Sequence, residues 1–590
     1  MEGLKRLEYR GYDSAGIVVV NDKGFERCRR PGKLFNLEAA LKESPMDGRS
    51  GIGHIRWATH GAPTEENAHP HIVDGVAIVH NGIIENHQHL RQNLLAEGCT
   101  FSSETDSEVV AHLIAQGIRQ GKSPQDAAFD AFAQLEGAYA LAVLFADYPD
   151  ILIGTRNNAP LAVGIAGNEV FLGSDALTLS QLAKKIAYLE DGDVVIMTPG
   201  EAVFYNNLRV KVSRQSQPHN INFESTHKGP YAHFMLKEIY EQPEVLQKTL
   251  AQYLSPQKDQ VVMPSFQVDL SAVSKVTIVA CGTSYYAGLV AKYWLEQLAQ
   301  VPTEVDIASE FRYRTPPLPE NGVAIFISQS GETADTLAAH AYAKSQGQYC
   351  IGILNVPQSS LARVVDMPLL TQAGPEIGVA STKAFTTQLS VLACLTLAFA
   401  QAKGTLSAQQ MADHCHALNT LPNLLEKTLA QAKSCLKIGQ ALAKAKDVLY
   451  LGRGTSYAIA LEGALKLKEI TYIHAEGYAS GEMKHGPIAL IDDAVPVIVI
   501  APSDALYEKT LSNLQEAAAR QAQVVLISDA AGQKGYTGQT LARLEIPTTS
   551  PLVSPMVYTI PVQLLAYYTA VTKGTDIDQP RNLAKSVTVE

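Results

Sequence analysis

The run LEGALKLKEITYIHAEGYASGEMKHGP, from Leu461, sets Glu462, Lys466, Glu469 and Ile473 four, three and four residues apart, so two carboxylates and an ammonium share one helical face. Flanking Ala464, Leu465, Leu467 and Ile470 leave that helix little surface for solvent. A partly buried carboxylate beside a lysine is a tuned general base; on an open surface the same spacing is an ion pair of little worth. His485, in the Lys-His-Gly-Pro turn that follows, is a candidate proton carrier or plain polar surface. GVAIFISQSGETADTL carries different chemistry. A strand ending at Ile327 and a helix starting near Thr333 put Ser328, Gln329, Ser330 and Thr333 around the free N–H groups of a helix N-terminus, a site for a phosphate dianion. A plain N-cap uses only one such side chain. Thr283 and Ser284, in the turn after KVTIVA, add donors at a neighbouring strand end.

The first third of the chain holds other groups. In VHNGIIENH the Asn81 amide and the Gly82 N–H suit an oxyanion hole, although Asn-Gly is also a hairpin-turn pair. Arg56 and Asp106 carry the charges that hold the carboxylate and ammonium of an amino acid, if the fold brings them together. His69, His71, His80, His87 and His89 invite a metal, but no carboxylate or cysteine shares a ligand spacing with them, so no metal site is expected. Lys585 lies in the tail TKGTDIDQPRNLAKSVTVE, which reads as disordered by composition, or folds back to offer a Schiff-base lysine.

These groups need several domains to hold them. A chain of 590 residues exceeds one core, and 46% hydrophobic with 18% charged residues is an ordinary globular balance. The net charge of -11 argues against a nucleic-acid binder. No apolar run is read as long enough to span a bilayer, no signal peptide is read at the start, and seven cysteines without a C-x-x-C pair suit reduced thiols in a cytoplasm. Through about residue 220 the runs GIVVV, GVAIVH, YALAVLF and DVVIM alternate with turns and a few helices, as in layered α/β or α+β folds. The polar stretch Arg214 to Phe234 reads as a connection. Beyond it KVTIVA, GVAIFI, YCIGIL, DVLYL, VPVIVI and QVVLI alternate with Ala- and Leu-rich helices, the pattern of parallel βαβ units. KVTIVACGTSYYAGLVAKYWLEQL aligns with DVLYLGRGTSYAIALEGALKLKEI, which predicts two copies of one α/β domain. At their next strand the copies diverge: SQSGETADT in the first, APSDALYEKT in the second.

Taken together, LEYRGYDSAG, RWATHG, HNGIIENH, SETD, KEIYEQP, ACGTSY, SQSGETADTL, GVASTKAFTTQ, LEGALKLKEI, KHGP and DQPRNLAKSVTVE closely resemble the isomerizing glutamine–fructose-6-phosphate aminotransferases, in family order over nearly the whole chain. The resemblance implies an α/β and α+β multidomain protein: an N-terminal-nucleophile-type glutaminase, four-layer αββα, followed by two doubly wound parallel-sheet sugar isomerase domains. The expected extents are 1–222 for the glutaminase, 223–242 for a linker, 243–405 and 406–573 for the isomerase copies, and 574–590 for a tail closing the sugar site. By the same resemblance Arg56 and Asp106 hold glutamine, Asn81 and Gly82 form the oxyanion hole, and Trp57 gates an ammonia passage. Thr283, Ser284, Ser328, Gln329, Ser330, Thr333 and Ser381 match the sugar-phosphate contacts. Glu469 matches the base moving a proton between C1 and C2, with Lys466 beside it; His485 the ring-opening histidine borrowed from a neighbouring subunit; Lys585 the imine lysine. The substrates implied are L-glutamine and D-fructose 6-phosphate, with no cofactor and at least a homodimer. The family's nucleophile is a cysteine at the mature N-terminus, in a strand leading into the helix that here holds Met1, so the residues given are expected to lack it and glutaminase activity with it. Two other readings stay open: an ammonia-dependent sugar-phosphate isomerase or deaminase, and a sugar-phosphate sensor.

Overall fold

The computed structural model describes residues 1–8, 12–174, 176–179, 182–218 and 227–587. The sequence reads as a helix from Gly3 to Tyr9 with Gly11 as its stop signal; Tyr9 and Gly11, the boundary at 222/223 and the last three residues lie outside that set, and the helix itself is Glu2–Leu7. The chain divides into two compact units, the second running from near residue 224 to Lys585 and the residues from Ser586 grouping with the first.

The first unit is built on strand alternation. In strand Val76–Ile84, Val76 and Ile78 pack with helices His87–Ala96, Glu108–Arg119 and Pro124–Phe132, while Ala77 and Val79 face the opposite way, onto Val18 and Ile52 of a second sheet. Strand Gly137–Phe145 repeats the pattern, with Leu141, Val143 and Phe145 toward the helices and Ala142 and Leu144 toward the second sheet. A seven-stranded antiparallel sheet is thus covered by helices on one face, and on the other by a three-stranded and a four-stranded sheet. Helices Glu2–Leu7 and Leu34–Glu43 pack on the three-stranded sheet through Leu4, Leu34 and Leu37. The order of layers is helix, sheet, sheet, helix.

The second unit holds two five-stranded, all-parallel sheets of identical topology. The first runs Thr303–Ile307, Lys275–Ala280, Gly322–Ser328, Tyr349–Leu354, Met367–Leu370; the second runs His474–Ala479, Asp447–Gly452, Pro496–Ile500, Gln523–Asp529, Ala542–Ile546. In sequence order each reads 2-1-3-4-5, so a crevice opens at the carboxyl ends of the first and third strands, where the strand order reverses. The central strands are buried on both faces, which is why they read as unbroken apolar runs.

Two expectations change. Residues 234–242 of the expected linker begin helix Phe234–Leu250, whose Met235, Ile239, Leu246 and Leu250 are buried in the core of the second unit. One helix among the described residues, Lys383–Lys403, is long and apolar enough to cross a membrane by length and composition. It is 89% buried over its most apolar stretch, packed against Gly282–Leu298 and Phe234–Leu250, so its apolar surface is explained by the core.

Candidate active site

Helix Thr455–Thr471 starts from Gly454 at φ 55°, a backbone region that favours glycine, directly after the first strand of the second sheet. It carries Glu462, Lys466 and Glu469 inward. Lys466 is 1% exposed, and its Nζ donates to Glu469 Oε2 at 2.6 Å and lies 3.6 Å from Glu462 Oε1. Glu462 is fully buried, whereas Glu469 keeps 19% of its side chain open. Burial pushes the Glu462 carboxyl up to about 8 against the pull of Lys466. Burial works against the Lys466 ammonium, but Glu462 and Glu469 outweigh it and raise its pKa, so Lys466 stays charged. The pair is therefore not a solvated surface bridge.

Glu462 Oε2 also accepts from Thr283 Oγ1 at 3.0 Å, and Ser284 Oγ donates to Gln388 Oε1 at 3.2 Å. Thr283 and Ser284 open helix Gly282–Leu298, beside the end of strand Gly322–Ser328. There Ser328 Oγ accepts from Gly331 N–H at 3.0 Å and meets Thr333 Oγ1 at 3.2 Å, while Ser330 Oγ accepts from Glu332 N–H at 3.2 Å. Thr333 is the N-cap of helix Ala334–Ser345 yet makes no side-chain cap bond. The turn before the helix thus carries three hydroxyls, of which Ser328 and Thr333 bond each other, with Gln329 in the same turn, an arrangement that can take an anion.

Lys585 brings the tail back into the unit, which overturns the disordered reading. Its Nζ donates to Glu376 Oε2, to which Ser381 Oγ also donates at 3.2 Å. Glu376 Oε1 accepts from Thr382 and Ala384 N–H at 2.9 and 3.0 Å. Burial would raise this carboxyl, but Lys585 and those N–H groups outweigh it and hold Glu376 well below the usual range. The Glu376 charge also helps, less than Glu462 and Glu469, to raise Lys466. His485 closes a 3-10 turn, Ser480–His485, and is exposed.

In the first unit, Asn81 and Gly82 lie inside strand Val76–Ile84, paired with Ala140 and Tyr139, so the hairpin reading fails. Gly82 has φ 124°, and a Cβ there would stand 2.0 Å from Ala138 O, which only glycine tolerates. Asn81 Oδ1 accepts from His54 Nε2 at 2.7 Å, which orients its amide. Burial lowers His54 to about 4, so that donor is a neutral imidazole. Asp106 Oδ2 accepts from Ile84 N–H at 2.8 Å and lies 3.8 Å from His80 Nδ1. Arg56 is buried and donates to the carbonyls of His60, Gly61 (3.0 Å) and Ala62 (3.3 Å); it sits 3.9 Å from Asp13 and feels the charge of Asp106. Trp57, next in the chain, is 39% exposed. His69, His71 and His80 are buried together, with ring centroids 4.6 Å (His69–His71) and 6.5 Å (His69–His80) apart, and His87 and His89 lie on helix His87–Ala96. Among the described residues no group of three or more His, Cys, Asp or Glu is placed to hold a metal.

Comparisons with known proteins decide what this arrangement belongs to. A glutamine amidotransferase domain model matches residues 54–181, and a SIS domain model matches 269–398 and 441–573. The glutamine–fructose-6-phosphate aminotransferase [isomerizing] of Zymomonas mobilis subsp. mobilis is 55% identical over all of this chain and 97% of its own length. That of Bradyrhizobium diazoefficiens is 52% identical with the same coverage. The chain belongs to the isomerizing glutamine–fructose-6-phosphate aminotransferases. It is an enzyme of that class, with an amidotransferase domain followed by two SIS domains. A solved C-terminal domain of glucosamine-fructose-6-phosphate aminotransferase from Francisella tularensis, 46% identical, superposes with TM-score 0.58 over 60% of this chain and all of that one.

Glu376 and Gln388 bond directly to residues of this cluster, Glu238 and Asp578 to the segments that carry them, and none of the four is singled out by the sequence. Glu376 precedes the Ser-Thr-Lys run in a Gly- and Pro-containing loop without periodicity, so only the fold places it.

Proposed function

We propose that this enzyme converts D-fructose 6-phosphate and L-glutamine to D-glucosamine 6-phosphate and L-glutamate, the entry reaction of hexosamine supply, with ammonia passed from glutaminase to isomerase. The observation that supports the sugar half is the linked set Thr283–Glu462–Lys466–Glu469, together with the Lys585–Glu376 pair of the same unit. The phosphate rests on Ser328, Gln329, Ser330 and Thr333, with Thr283, Ser284 and Ser381 completing the contacts. His485, from a neighbouring subunit of at least a dimer, opens the ring. The Lys585 amine adds to the C2 carbonyl and water leaves, giving an imine; ammonia then displaces Lys585 and remains as the C2 nitrogen. Glu469 takes the proton from C1 and returns it at C2 through a C1–C2 enolamine, while Lys466 balances its charge.

In the glutaminase half Arg56 and Asp106 hold glutamine, Asn81 and Gly82 the oxyanion, and Trp57 gates ammonia. The domain extents proposed are 1–222, 243–405 and 406–573, with the tail 574–590 over the sugar. We place the enzyme in the cytoplasm, with no nucleic-acid or membrane partner. None of the seven cysteines serves as nucleophile: each has its nitrogen in a peptide bond, and burial raises the thiols of Cys28, Cys281, Cys350, Cys394, Cys415 and Cys435. These 590 residues alone are therefore proposed to release no glutamate. The test feeds the purified chain fructose 6-phosphate with glutamine or with ammonium and quantifies glutamate and glucosamine 6-phosphate separately. Product from ammonium without glutamate from glutamine is expected; glutamate at an ordinary rate would mean that another residue opens the amide, and no product from ammonium would remove the sugar half.

A further inference from the structure

A ring of hydrogen bonds joins three segments of the second unit: the start of helix Phe234–Leu250, the loop 376–379 and the tail. Asp578 Oδ2 accepts from Phe234 N–H at 2.9 Å and its Oδ1 from Met235 N–H at 3.0 Å, with Lys228 Nζ 3.3 Å from Oδ2. One turn along the same helix, Glu238 Oε1 accepts from Ile377 and Gly378 N–H at 2.5 and 3.1 Å. Val379 N–H donates to the Asp578 carbonyl at 3.0 Å, and Glu376 receives Lys585. Each segment is thus tied to the other two.

The helix has no cap of its own. His233, its N-cap, makes no side-chain cap bond and meets Tyr567 Oη at 2.9 Å instead. A helix N-terminus needs acceptors and favours negative charge, and here a carboxylate 344 residues away in sequence supplies both. Between Asp578 and Lys585 the tail touches Tyr472, whose Oη takes Arg581 N–H at 2.8 Å and whose ring lies 4.2 Å from the Arg581 guanidinium carbon.

We infer that Asp578 is a positioning residue for Lys585: by capping helix Phe234–Leu250 it fixes the tail against the loop that carries Glu376, and so sets the lysine amine where the sugar carbonyl must come. This rests on Lys585 being the imine lysine. The phosphate turn at Ser328–Thr333 forms no part of the ring, and of the proposed phosphate contacts Ser381 alone bonds to it, through Glu376, so loosening the ring acts chiefly on imine formation and leaves most of the phosphate binding in place.

The test compares the full chain with Asp578→Ala and Asp578→Asn in two measurements: ammonium-dependent turnover of fructose 6-phosphate, and borohydride trapping of the sugar on Lys585 read by peptide mass. For Asp578→Ala we expect kcat lower by about 10- to 100-fold with KM within about threefold, and trapping at Lys585 slowed in step. Asn, which keeps one acceptor, recovers part of both. Turnover or trapping at the wild-type level in Asp578→Ala overturns the inference, and so does a rise in KM that accounts for the whole loss. If Asp578→Ala does not fold, Asp578→Asn and Asp578→Ser carry the same comparison. Wild-type protein that traps no sugar at Lys585 would overturn the reading of Lys585 itself; wild type and variant trapping equally would overturn only the role of Asp578.

Discussion

At the scale of the residue, Gly331 shows how tightly the proposed phosphate turn is drawn. Its φ is 66° and a Cβ would stand 2.1 Å from Ser359 Oγ, while its N–H donates to Ser328 Oγ. Gly331→Ala must strain the backbone or push Ser359 away, at a cost of about 1–3 kcal/mol concentrated in the turn. Fructose 6-phosphate KM is expected to rise about tenfold with kcat nearly kept; steady-state kinetics on the ammonium reaction checks this, and an unchanged KM would exclude the turn from binding. Spacing made Glu469, Lys466 and the Ser328–Thr333 hydroxyls legible in the sequence, because their neighbours lie within a helical turn or one loop. Glu376 and Asp578 were not, since their partners lie 209 and 344 residues away.

At the scale of the element, the central parallel strands were readable as apolar runs because both of their faces are covered. Edge strands such as Met367–Leu370, with Pro368, and the polar His474–Ala479 carry no such run and appear only through pairing with a central neighbour. Helix contacts are equally hidden. Gly439, on helix Ala432–Leu442, brings that helix onto Ser554–Lys573 so closely that a Cβ would meet Thr569 N and Tyr568 C at 2.9 Å. These are backbone atoms and cannot turn aside. Gly439→Ala is expected to cost about 1–3 kcal/mol by overpacking, seen as a lower melting temperature of the second unit; an unchanged or higher one would mean that the helices separate freely.

At the scale of the whole molecule, the buried groups of the two units give them different responses to pH. Burial lowers His54 to about 4 and His71 to about 3, and lowers His69 and His80 too, so the folded first unit refuses protons that its unfolded chain accepts below about 6.5. Its stability falls as pH drops through that range. In the second unit Glu238 and Glu462 are raised to about 8, so the folded form keeps protons that the unfolded chain has lost, and their contribution falls as pH rises between about 4.3 and 8. Glu376, depressed, acts in the other direction only below that window. Burial also lowers His340 and His414 in the second unit, which works against that gain, so calorimetry from pH 7.5 to 5.5 should show the transition of the first unit moving down further than the one shifted by fructose 6-phosphate; an equal fall in both would contradict this assignment. The repeat that predicted two α/β copies is matched by two sheets of the same strand order, whereas the layers of the first unit rest on alternation over several short strands, a weaker signal.

The central claim is that Glu469 moves the proton in a sugar site built by the second unit. The most direct measurement is Glu469→Gln, with ammonium-dependent turnover and fructose 6-phosphate affinity determined on the same preparation. Turnover lower by about a thousandfold or more with affinity within about threefold is the result this account predicts. Turnover near the wild-type rate would contradict it and remove Glu469 as the base.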